Sequence, residues 1–351
     1  MKRIILINIL VFLGLLGALE IISRLTFPEF KDNIFSETKT MNINYFDGDF
    51  HGYQVRVPNY QYEFREDIPT VLIFGDSITG GYGTAYEDIW WRKLENFLRI
   101  KGVDLQIIGI AGYGNNTADA LRAIKAVQEL SSVEGIKISK IIYQFNFNDI
   151  LPFSSSDLEA TALVNTDLFR KFSKWRSKHL DKSVLMRAMQ HYAGAIVRKT
   201  SGSCEERGFH ALGPYTWTFG SKQFTEDAEY YWEEFEKSLF QIKDISDQIN
   251  SKFEIFISPI LFDVDKSGAH PYYNYLNYDF SCATIQPRDR LLNIAQQINI
   301  PVYDPAEELE STFKSRLEGG NFSPYFFVSD ENHFTPLTGA YIAEFIAKHW
   351  N

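Results

Sequence analysis

Five short runs of nearly continuous apolar residues constrain this chain more than any other feature. They fall at 71–74 (Val-Leu-Ile-Phe), 105–108, 141–145, 253–257 and 302–303. The first is closed by Gly75, and its length and β-branched content mark a buried strand rather than a helix. Helical patterns occupy much of the space between, at 87–100, 117–130, 289–298 and 336–349. In the first of these Ile89, Trp90, Leu94, Phe97 and Leu98 share one side. Strands that are apolar along their whole length, alternating with helices, require a parallel sheet covered on both faces. The expected fold is therefore α/β, a three-layer, doubly wound, five-stranded parallel sheet. It forms one enlarged domain over 70–351, preceded by a linker and irregular arm at 25–69. A segment at about 150–224 breaks the rhythm and reads as an insertion between the third and fourth strands. It stands at the carboxyl ends of the strands, where such folds place ligands, either as a cap or as a solvent-facing decoration.

Charge and composition narrow the partners. The 351 residues carry 35 Lys+Arg against 45 Asp+Glu, a net charge of −10. A nucleic-acid partner is excluded, since it calls for a basic stripe to neutralise phosphates. Cys204 and Cys282 are too few for a disulfide scaffold or a cysteine-rich metal site. A mean hydropathy of −0.21 excludes a polytopic membrane protein, but it averages over one local extreme. Residues 4–22 are almost wholly apolar, interrupted by Asn8 and Glu20 and preceded by Lys2 and Arg3. As a helix this run spans roughly 28 Å, close to the thickness of a bilayer's hydrocarbon core. Residues 1–24 are read as an uncleaved signal anchor, a single-pass transmembrane helix. A cleaved signal peptide fits less well, because Glu20 falls where a cleavage motif wants a small residue; a buried soluble helix is the third reading. Lys2 and Arg3 keep the N-terminus cytoplasmic and send the rest outward, into the periplasm or its equivalent. In such an oxidising compartment Cys204 and Cys282 either pair or remain buried thiols.

Four places carry chemistry, each just after a strand or just before the last helix. Gly75-Asp76-Ser77 puts a serine at the carboxyl edge of the sheet. Gly109-Ile110-Ala111-Gly112-Tyr113-Gly114 lets backbone approach a ligand closely, and no P-loop lysine or dinucleotide fingerprint accompanies it. Asn146-Phe147-Asn148-Asp149 offers an amide donor to the same crevice. Asp330-Glu331-Asn332-His333 places an aspartate three residues before a histidine, able to set its tautomer through Nδ1. Asp263, Asp265 and Asp304 are fallback partners for His333. Each signal has an ordinary turn, cap or surface pair as its bland reading.

Taken in order, Ser, Gly, Asn and Asp-x-x-His at these positions resemble the four blocks of the GDSL/SGNH hydrolase family. The resemblance spans roughly 71–349, and one block departs from it, with Asn146 where the motif Gly-x-Asn-Asp has glycine. It implies the flavodoxin-like SGNH hydrolase fold and a serine esterase acting on carboxylic esters, O-acyl or O-acetyl. Ser77 is then the nucleophile, His333 the general base and Asp330 its orienting partner. The oxyanion hole is implied to be the Ser77 N–H, the Gly112 N–H and the Asn148 side chain. No metal and no organic cofactor are implied. The partners are an ester substrate, glycan or lipid, and the membrane through the N-terminal helix. Two alternatives use the same fold: an O-acetyltransferase modifying a cell-surface polysaccharide, and a non-catalytic binding protein.

Overall fold

The computed structural model describes residues 2–26, 48–50, 53–55, 65, 67–81, 84–112, 115–134, 137–150, 183, 185, 226–264, 286–318, 333 and 335–350. The apolar runs pair as their burial requires. Strand β3 (Thr70–Gly75) is flanked by β4 (Gln106–Ala111) and β5 (Ile138–Phe145), with β6 (Lys252–Ile257) and β7 (Val302–Tyr303) beyond β5. All five are parallel; Gly75 stands opposite Ala111, and Phe74 opposite both Ile110 and Tyr143. Every residue of β3 and β4 is buried, as continuous apolar runs demand.

Pleating sends alternate side chains to two cores. Leu72, Phe74, Ile141 and Ile255 pack against α3 (Thr117–Glu134), α4 (Glu226–Gln248) and α5 (Gln286–Gln297). Val71, Ile73, Ile142 and Phe256 pack against α2 (Trp90–Ile100), α6 (Ala306–Glu318) and α7 (Pro336–Lys348). The result is the three-layer, doubly wound sheet that the strand–helix alternation predicts.

Three features differ from the expectation. Within the arm at 25–69, β1 (Gly48–Phe50) and β2 (Tyr53–Val55) form an antiparallel hairpin, and Val55 pairs with Ile110 on the outer edge of β4. Among the described residues the sheet thus has seven strands, in the order β1-β2-β4-β3-β5-β6-β7. Two three-residue strands carry too little alternation to be seen in sequence. The helical pattern at 87–100 is divided: a 3₁₀ turn at Tyr86–Asp88 precedes Ile89, whose extended backbone (φ −64°, ψ 140°) starts α2 at Trp90. Ile89 is buried, so the break turns it into the core and leaves Glu87 outside. Helices α4 and α6 are additions, although Trp232, Phe235, Leu239, Ile242 and Ile245 of α4 recur at helical spacing and are all buried.

Helix α1 (Lys2–Thr26) runs unbroken through the N-terminal apolar segment. Among the described residues no helix is long and apolar enough to cross a membrane; in α1 the described side chains begin at Phe12 and omit Leu13. Phe12, Leu15, Leu19, Ile21, Ile22 and Leu25 are exposed, whereas Ser23 is buried. Glu20 accepts hydrogen bonds from Arg24 Nε (2.9 Å), Ser183 Oγ (2.6 Å) and the Leu185 N–H (3.1 Å). Apart from Ile150, Ser183 and Leu185, the insertion at about 150–224 lies outside the described residues, as do Cys204 and Cys282.

Candidate active site

The strand-ending Gly75 is followed by a tight turn that folds on its own aspartate. Asp76 Oδ1 accepts from the Ile78 N–H (2.9 Å) and the Asp76 carbonyl from the Gly80 N–H (3.0 Å). Ser77 lies between these bonds, half-buried, while Ile78 is driven into the α2–α7 core. Two further bonds fix the turn from below. Thr79 Oγ1 donates to Gln144 Oε1 on β5 (2.5 Å), and the Trp91 indole N–H on α2 donates to the Thr79 carbonyl (2.7 Å).

Trp91 reaches that carbonyl because Gly109 lies beneath it. A Cβ on Gly109 would stand 2.7–2.8 Å from the indole ring, closer than atoms can pack. The glycine read in sequence as ligand-approach backbone is thus a packing glycine inside β4. Gly112, the first residue past β4, has a different neighbour. Its missing Cβ leaves room for the Asn115 side chain, 2.5 Å from where that Cβ would be. Beside it Asn116 caps α3, accepting from the Ala118 and Asp119 N–H groups at 3.0 and 3.1 Å. Tyr143 OH lies 2.7 Å from Thr117 Oγ1 in the first turn of that helix.

His333 immediately precedes α7, whose start is set by Thr335 and Pro336. α7 packs against α2, where Gly339 lies against the Asp88 carbonyl and Trp90 backbone. Since Ile78 enters the same core, the serine turn and the histidine are referred to one helix layer. His333 Nε2 lies 2.8 Å from Ser77 Oγ, and the imidazole is buried. A serine hydroxyl in contact with one imidazole nitrogen can lose its proton to that nitrogen as it attacks, leaving Nδ1 for an orienting group. Asp330, expected in that role, lies outside the described residues. Of the fallback aspartates, Asp304 is committed to Arg288 (2.6 Å) and Asp263 accepts from the Ile260 N–H (3.0 Å); Asp265 lies outside the described residues.

The third strand's end holds a network that sequence reading missed. Asn148 falls in a 3₁₀ turn, Phe147–Ile150, and its side chain lies outside the described ones. Its neighbours Asn146 and Asp149 are buried. Asp149 Oδ2 accepts from Tyr143 OH (2.7 Å) and the Asn146 N–H (2.8 Å), and Asn146 Nδ2 donates to Asp76 Oδ2 (3.1 Å). Burial, and then the nearby Asp76 carboxylate, push the Asp149 carboxyl well above the usual range, toward its neutral acid form. Burial also raises Tyr143, reinforced by Asp149. The one sequence signal for this network was the departure at Asn146.

A cavity of about 240 Å³ opens against the same strand ends, with Gly75, Gly112 and Asn115 on one side and Ala120, Arg122 and Ala123 of α3 on the other. Among the described residues, no cluster of three His, Cys, Asp or Glu side chains could hold a metal ion.

No family model and no curated protein matches the sequence. Solved structures do. One is a lipolytic protein of the G-D-S-L family from Veillonella parvula, with 13% identity and a TM-score of 0.40 over 80% of this chain and 97% of that one. Another is the acetyl xylan esterase AlAXEase, with 14% identity and a TM-score of 0.41 over 80% of this chain and 100% of that one. A third is the psychrotrophic esterase EstA from a Pseudoalteromonas species, with 13% identity and a TM-score of 0.38 over 80% and 95% of the two chains. The chain is similar in structure to GDSL/SGNH hydrolases and esterases.

Proposed function

We propose that this protein is a membrane-anchored serine ester hydrolase of the GDSL/SGNH type, acting outside the cytoplasm on O-acyl or O-acetyl esters. The observation that carries the reading is the 2.8 Å contact between Ser77 Oγ and His333 Nε2 at the carboxyl edge of the sheet. In this mechanism His333 takes the Ser77 proton as Oγ attacks the ester carbonyl. The oxyanion that forms is held by the N–H groups of Ser77 and Gly112 and by the Asn148 amide. His333 then gives its proton to the leaving alcohol. Water, deprotonated by His333, attacks the acyl-serine and releases the carboxylic acid, restoring Ser77. Asp330, three residues before His333, orients the imidazole and stabilises its charged form.

The anchor is supported by the unbroken helix α1, the exposed apolar side chains from Phe12 to Leu25 and the apolar run at 4–11. A membrane-impermeant fluorophosphonate probe applied to intact cells tests both parts. Wild-type protein is expected to be labelled and recovered with the membrane fraction, and Ser77→Ala to be unlabelled. Equal labelling of Ser77→Ala overturns the nucleophile; labelled protein in the soluble fraction overturns the anchor.

A further inference from the structure

Asn146 stands where the GDSL/SGNH motif carries glycine, and its side chain is used. It is 2% exposed, so the amide is not directed to solvent. Its Nδ2 donates to Asp76 Oδ2 at 3.1 Å, joining the end of β5 to the end of β3 across 70 positions of sequence. Its backbone N–H donates to Asp149 Oδ2 at 2.8 Å, and its carbonyl accepts from the Asp149 N–H at 2.9 Å. Asn146 is thereby fixed on one side by Asp149, which Tyr143 holds in turn. The other oxygen of Asp76 accepts from the Ile78 N–H at 2.9 Å. The Asp76 carboxylate is therefore bound at both oxygens, once from within the serine turn and once from the neighbouring strand. Ser77 is the residue between Asp76 and Ile78. A glycine at 146 keeps the main-chain bonds to Asp149 and loses the donor to Asp76.

We infer that Asn146 is a positioning residue for the nucleophile: its side-chain amide, acting through Asp76, holds the turn that presents Ser77 Oγ to His333. The inference rests on the reading of Ser77 as nucleophile. Freeing Asp76 Oδ2 lets the carboxylate rotate, weakens its bond to the Ile78 N–H and allows Ser77 to drift from the imidazole. Misplacement on that scale lowers the rate of chemistry and leaves substrate binding alone.

The test uses the full chain in detergent, p-nitrophenyl acetate as substrate and a fluorophosphonate as the labelling probe. Asn146→Gly and Asn146→Ala are both expected to reduce kcat and the labelling rate about tenfold, with KM changed less than about twofold. In an Asp76→Ala background, where the acceptor is gone, Asn146→Gly is expected to cost less than about twofold, as a double-mutant cycle requires of a coupled pair. Wild-type labelling rates in both variants overturn the inference. So does an equal loss in the two backgrounds, or a rise in KM with kcat preserved. Ser77→Ala is carried in parallel: if it labels as wild type does, the nucleophile reading fails and the inference falls with it. If it is unlabelled while the Asn146 variants are unaffected, the inference alone fails.

Discussion

Replacing Gly109 by alanine tests how firmly the serine turn is held from beneath. The added Cβ would lie 2.7 Å from Cε2 and Cζ2 of Trp91 and 2.8 Å from its Nε1. Non-bonded carbons settle at about 3.5–4.0 Å, so the ring must withdraw by about 0.8 Å or more. Trp91 is fully enclosed, with Tyr86 edge-on to its ring at 5.8 Å, and has little space to withdraw into. Its N–H bond to the Thr79 carbonyl is 2.7 Å long, and a shift of that size suffices to carry it toward the limit of a hydrogen bond. Overpacking of this kind costs about 1–3 kcal/mol, and a lost buried hydrogen bond adds about 0.5–1.5 kcal/mol. Gly109→Ala is thus expected to lose about 2–4 kcal/mol of unfolding free energy. Urea unfolding followed by tryptophan fluorescence measures this, and the fluorophosphonate labelling rate reports the turn. Adding Trp91→Phe, which removes the pyrrole nitrogen and shortens the ring system, should recover part of the stability lost to Gly109→Ala, though not the anchored turn. A Gly109→Ala protein within about 0.5 kcal/mol of wild type, labelled at the wild-type rate, would refute the reasoning.

Two further expectations concern buried charge. Lys140 and Glu254 form an ion pair at 2.8 Å with both side chains buried, and the Trp350 ring lies 3.8 Å from the ammonium. Removing one partner by Glu254→Leu should destabilise the protein by about 3–5 kcal/mol, and Lys140→Met added to it should restore most of that; chemical denaturation of the single and double variants decides, with an additive double variant counting against the pair. Asp149 has a folded-state pKa raised above its unfolded value, chiefly by burial and then by Asp76. Its contribution is complete below the ordinary carboxyl pKa of about 3.9 and falls as pH rises toward the folded value, by about 1.4 kcal/mol per pH unit. Asp149→Asn should remove that part of the slope of unfolding free energy against pH, and identical slopes for the two proteins would exclude it.

The parts legible in sequence share one property: each is carried by residues close together in the chain. The five parallel strands are local apolar runs, and the Gly-Asp-Ser turn and the histidine ahead of the last helix are local patterns placed by those strands. What was not legible joins distant residues. The bond from Trp91 to the Thr79 carbonyl spans a strand-to-helix packing interface, and the bond from Asn146 to Asp76 spans two strand ends. Neither leaves a periodicity or a spacing. Gly109 shows the same limit from the other side, since a glycine near a sheet edge reads as ligand backbone until the indole lying on it is seen. The departure at Asn146 was visible as a break in a motif; its meaning required the position of Asp76.

Glu20 gives the N-terminal helix a mechanical character. An apolar helix joined to a domain through the intervening chain alone is a tether. Here one carboxylate near the end of that helix grips a hydroxyl and a main-chain amide more than 160 positions away. That grip is a second link beside the chain itself, running from the helix through one side chain to Ser183 and Leu185. A pull on the helix therefore reaches Ser183 and Leu185 through the Glu20 carboxylate.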